Sequence, residues 1–68
     1  MADTLCIPEK QYTSAFIQGV KDYIRNIPQV NPPKHICAAF HMRLDWDAGW
    51  RMANDAKQDG LVIKITSR

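Results

Sequence analysis

Two tryptophans four residues apart, Trp46 and Trp50, stand among Arg43, Asp47, Arg51, Asn54 and Lys57, the densest concentration of binding-competent side chains in the chain. Tryptophan and arginine are the types most enriched among interface hot spots. Arginine, asparagine and lysine are also the types that read base edges or hold phosphates on DNA. Asp47 and Asp55 on the same stretch repel phosphates, although aspartate can accept from cytosine. A second reading of the tryptophans stands beside the first: one of them folds back as core, because tryptophan is usually largely buried. Two further cations, Lys64 and Arg68, lie near the C-terminal end, where they are placed to hold phosphates or a partner.

Other chemistries find less support. Cys37 and His41 are four apart, and His35 and Cys6 complete a set of zinc-binding types, but no fixed spacing unites the four. Cysteine in a small helical domain is commonly a plain buried hydrophobe. Neither a metal nor another cofactor is expected. Asp45 and Asp47 read as helix-cap and first-turn charges rather than as a general acid and base. No glycine-rich elbow accompanies the cysteines and histidines, and so short a chain leaves little room for a substrate cleft. A non-enzymatic protein is expected.

These side chains need elements to position them. The 68 residues allow one domain, and such a chain buries only about 60% of its unfolded surface. With 46% hydrophobic and 24% charged residues, the composition is that of an ordinary globular domain. Thr4 to Ile7 is an apolar run long enough for a short strand, one that can pair with a second at Leu61 to Ile65. Pro8 and Glu9 suit the first turn of helix one. Along it Tyr12, Phe16, Val20, Tyr23, Ile24 and Ile27 form an apolar stripe, with Lys10, Lys21, Asp22 and Arg25 outside. Gly19 inside this helix costs about 1 kcal/mol relative to alanine, which points to close packing against another backbone. Pro28 ends the helix, and Asn31, Pro32 and Pro33 make a stiff connection.

Helix two begins near Pro33 or Lys34, burying Ile36, Ala39, Phe40 and Met42. Leu44 breaks the spacing and Asp45 caps helix three, which runs from about Trp46 to Asp59. Ala48, Gly49, Met52, Ala53 and Ala56 turn its small residues inward, leaving Trp46 and Trp50 on or beside the outer face. Gly60 stops it, and Leu61 to Ile65 alternates like a half-buried strand.

The stretch Ala38 to Val62, with its short helix, turn, longer helix, glycine and apolar strand, resembles the winged-helix branch of the helix-turn-helix superfamily. The resemblance covers roughly the second half of the chain. It implies a mainly α fold: a three-helix helix-turn-helix core in a single domain, with a short C-terminal strand. After Gly60 only eight residues remain, too few for a full two-stranded wing, so the wing is truncated and its strand edge is left open. An open edge invites self-association or a partner's strand.

The formal net charge of +2 is weak for a nucleic-acid binder. Between Arg43 and Gly60, Arg43, Arg51 and Lys57 are outnumbered by Asp45, Asp47, Asp55 and Asp59. Asp55 and Asp59, among Lys57 and Gln58, read as a solvated helix face. The resemblance implies a small DNA-binding transcriptional regulator acting as a dimer. The alternative is a protein-binding module, of the kind a phage or mobile element uses as an inhibitor, engaging or blocking a partner through the Trp and acidic face. No apolar run approaches the roughly 18 residues of a membrane span, and a cytoplasmic location is expected.

Overall fold

The computed structural model describes residues 3–67, so Arg68 lies outside the described residues. The chain runs through β1 (Thr4–Pro8), a 3-10 turn (Glu9–Gln11), α1 (Ser14–Ile24), α2 (Lys34–Cys37), α3 (Phe40–Gln58) and β2 (Val62–Thr66). β1 and β2 pair in parallel, with Thr4 opposite Val62 and Pro8 opposite Thr66. Parallel strands require a crossover, and here the crossover carries all three helices. The mainly helical expectation therefore holds, as does the pairing of the N-terminal and C-terminal strands.

Pro8 belongs to β1 rather than to the first turn of a helix. Val62 N–H donates to the Asp3 carbonyl at 2.8 Å, which puts Leu5 and Ile7 in the phase facing β2 and Pro8 in the phase facing away. The missing proline N–H thus removes no ladder bond. α1 starts six residues later than expected, because Thr13 is its N-cap and its hydroxyl accepts from Phe16 N–H at 3.2 Å.

Both long helices end in the same way. Asn26, at φ 66°, donates to the Tyr23 carbonyl, and Ile27 N–H reaches back to Asp22 at 2.9 Å. Gly60, at φ 80°, donates to Lys57, and Leu61 N–H reaches Ala56 at 2.9 Å. These paired bonds are Schellman motifs, with asparagine and glycine taking the left-handed position that other residues avoid. α1 stops at this motif, ahead of Pro28.

The largest departure concerns α3. It is unbroken from Phe40 to Gln58, so the expected turn at Leu44 and Asp45 is absent and helix two shrinks to the single turn α2. The break falls instead at Ala39, whose extended φ of −136° precedes the helix. Asp45 caps nothing in its own helix. It accepts from the Thr13 hydroxyl at 3.0 Å and so anchors the start of α1.

Apolar side chains pack in two clusters on either side of the α1–α3 pair. Ile7, Ile17, Val20 and Ala53 form one against the sheet, with Leu5, Tyr23, Met52, Ile63 and Ile65. Ala15, Ile36 and Trp46 form the other beneath α2, with Ile27, Met42 and Trp50. Burying a large apolar side chain is worth about 1.5 to 3 kcal/mol, so these few residues carry much of the fold. The helices touch backbone to backbone where the chain has glycine. A Cβ on Gly19 would collide with the Trp46 carbonyl, and one on Gly49 with the Phe16 carbonyl. The close packing inferred at Gly19 is thereby found. Of the inward stripe expected on α3, Gly49, Ala53 and Ala56 are buried and Met52 half-buried, but Ala48 is exposed.

Three residues depart from the stripe expected along helix one. Tyr12, which lies ahead of α1, and Ile24 are exposed, whereas Asp22, expected outside, is only 1% exposed. Its carboxylate accepts from Gln18 Nε2 at 2.8 Å and from Trp46 Nε1 at 2.9 Å, so it is buried with partners.

Candidate functional site

α3 presents its outward face as a row of exposed residues spaced by three and four: Phe40, Leu44, Ala48, Arg51 and Asp55. That spacing gathers them on one side of a helix. Phe40 is 78% exposed and Leu44 53%, a reversal for Phe40, which the sequence placed in the core of helix two. The cause is the shifted helix boundary. Once α3 begins at Phe40, Trp46 rather than Phe40 falls on the side facing α1.

The sequence-derived site divides along this helix. Arg51 and Lys57 are exposed, and Asn54 is half-buried, accepting from Gln58 Nε2 at 3.4 Å. Arg43 and Asp47 form an i,i+4 pair at 3.6 Å, beyond hydrogen-bond length and worth little on a partly exposed face. Lys64 is exposed on β2, on the far side of the sheet from the helices.

Both tryptophans leave the outer face. Trp46 has no exposed surface, and its indole is bound to Asp22. Trp50 is half-buried, donates to the Ile27 carbonyl at 2.8 Å and meets Tyr23 edge-on at a ring separation of 5.1 Å. Their four-residue spacing places them on the same side as Gly49 and Ala53, which is the packed side. Trp50 also lines a groove of about 530 Å³. Its walls are the C-terminal ends of α1 and α3 and the start of β2, with Ile24, Ile27, Pro28, Leu61 and Val62 lining it and Lys57 at its margin.

Cys6 and Cys37 are free and exposed rather than buried. Among the described residues no three histidine, cysteine, aspartate or glutamate side chains gather as a metal site would require. No helix of the described residues is long and apolar enough to cross a membrane. The chain matches no protein-family model, no curated protein and no solved structure.

The exposed phenylalanine was hidden from sequence reasoning because the break before α3 carries no cap signal. Ala39 has no side chain with which to cap. The only trace is the spacing Phe40, Leu44, Ala48, which continues without interruption through Asp45.

Proposed function

We propose that this protein is a non-catalytic binding module that docks the outward face of α3 against a partner protein. The observation that carries the reading is the pairing of Phe40, 78% exposed, with Leu44, 53% exposed, one turn further along a regular helix. Single exposed apolar residues are ordinary, but an aromatic and a leucine on adjacent turns, followed by Arg51, have the anchor composition of an interface centre. Phe40 takes this role in place of Trp46, which is buried, and Trp50, which is half-buried. Asp55, within the row, and Asp47 beside it suit a protein partner with cationic groups better than a phosphate backbone.

A DNA-binding reading rests on Arg51 and Lys57, exposed on α3, with Asn54 between them. The winged-helix resemblance places its turn at Leu44 and Asp45, whereas α3 is continuous there and the break between α2 and α3 lies at Ala39.

One experiment separates the two. A photo-crosslinking phenylalanine analogue is placed at Phe40 and, as an exposed control, at Lys21, in cells that naturally express the protein. A protein adduct formed from position 40 and absent from position 21 is the expected result. Equal labelling from both positions would overturn the docking face. In parallel, titration of mixed duplex DNA at graded salt is expected to show no binding at low salt, whereas affinity falling steeply as salt rises would favour DNA.

A further inference from the structure

Among the described residues the sheet has two strands, and one of its faces is packed against α1 and α3. Its two open edges are not equivalent. On β1 the outward-facing positions are Thr4, Cys6 and Pro8, and Pro8 has no N–H to offer. Edge proline is a common guard against further pairing. β2, with the sequence VIKIT, has no such guard. Because Val62 N–H points to the carbonyl of Asp3, just ahead of β1, the groups of Lys64 and Thr66 point the same way, and those of Ile63 and Ile65 point outward. The N–H of Leu61 is already bound to Ala56, which leaves its carbonyl free to accept from a new strand. The groove runs beside this same edge at Leu61 to Ile63, with Tyr23, Ile24, Ile27 and Trp50 as its apolar lining.

We infer that the open edge of β2 takes β2 of a second copy of this chain, antiparallel about a two-fold axis centred on Ile63, to make a four-stranded sheet. This register uses the groups available. Ile63 exchanges two hydrogen bonds with its symmetry mate, and each Ile65 N–H donates to the other copy's Leu61 carbonyl, giving four bonds without calling on the occupied Leu61 N–H. On the exposed face Val62, itself 53% exposed, lies opposite Lys64 of the other copy and covers its aliphatic stem. On the inner face Ile63 and Ile65 of each copy approach the other's groove. The competing register, centred on Lys64, sets two lysines directly opposite each other, an arrangement that disfavours pairing. A strand rich in β-branched residues with no proline is the occupant whose chemistry fits an apolar groove next to free backbone groups, and the chain itself carries one. The association is isologous and closes on itself. It leaves Phe40 and Leu44 of α3 to the separate contact proposed above.

Sedimentation equilibrium of the whole chain under reducing conditions tests the association, and cysteine pairing tests the register. The parent protein is expected to be a dimer whose mass falls towards the monomer on dilution. Val62→Lys, at an exposed position, places like charges opposite each other twice per dimer and should weaken association roughly tenfold, while Val62→Glu should strengthen it. In a chain carrying Cys6→Ser and Cys37→Ser, Val62→Cys and Lys64→Cys proteins are prepared separately and then mixed under mild oxidation. Covalent dimer is expected from the mixture and not from either protein alone. A monomer at every concentration overturns the proposal, as does a dimer indifferent to both Val62 substitutions. Cross-linking of the Lys64→Cys protein with itself would overturn the register.

Discussion

At the scale of single residues, the two tryptophans show how one residue type serves two ends. Trp46 is fully enclosed and gives its N–H to a buried carboxylate, so Asp22 and Trp46 satisfy each other in a place where either alone would be costly. Trp50 stands at the boundary, with one side on Tyr23 and the other on the groove. Trp50→Ala should lower stability by about 2 to 4 kcal/mol, because it removes a large packed ring and leaves the Ile27 carbonyl without its donor. Trp50→Phe should cost less, since the ring contact survives and only the hydrogen bond is lost. Urea denaturation followed by circular dichroism measures both. An Ala variant that unfolds at the parent's midpoint would return Trp50 to the outer face that the sequence assigned it. The pattern of two tryptophans four apart was plain in the sequence, but their direction was not. Direction depends on where the helix starts and on which neighbour it meets.

At the scale of elements, the contact between α1 and α3 depends on two hydrogen atoms in place of side chains. Gly19 and Gly49 each face a backbone carbonyl of the opposite helix, and backbone cannot move aside as a flexible side chain can. Intrinsic propensity favours Gly→Ala in a helix interior by about 1 kcal/mol, so a measurement of sign discriminates between propensity and packing. Gly49→Ala should destabilise, by an amount exceeding that gain, because the helices must separate and loosen the clusters containing Ala53 and Trp46. A thermal midpoint at or above the parent's would show that the helices do not approach so closely. Gly19 was legible as a packing position because glycine inside an amphipathic helix requires a reason. The continuity of α3 was not legible. Asp45 is a good N-cap in isolation, and only its bond to Thr13, 32 residues away, shows that it is engaged elsewhere.

At the scale of the whole molecule, the sheet joins residues 4–8 to residues 62–66, so the chain's first and last elements are each other's sole strand partners among the described residues. Ile7 on β1 also lies in the cluster shared by α1 and α3. Removing residues 1–7 should therefore abolish cooperative unfolding of the remainder rather than shorten it by one strand, since β2 loses its ladder and the core loses a fully buried side chain. Well-dispersed amide resonances and a sharp melt from the shortened chain would contradict this. What the sequence by itself determined was local: the apolar run at Thr4 to Ile7, the alternation at Leu61 to Ile65, the glycine stop at Gly60, the small-residue side of α3 and the amphipathic character of α1. Each follows from side-chain size, backbone freedom or alternation acting over a few residues. Only the tertiary structure decided that the strands run parallel, that α3 passes unbroken through Asp45, that Asp22 and Trp46 are enclosed together and that Phe40 faces outward. Those outcomes depend on which surfaces meet across distances of 20 to 60 residues in the chain, where several pairings satisfy the same local pattern and packing selects among them.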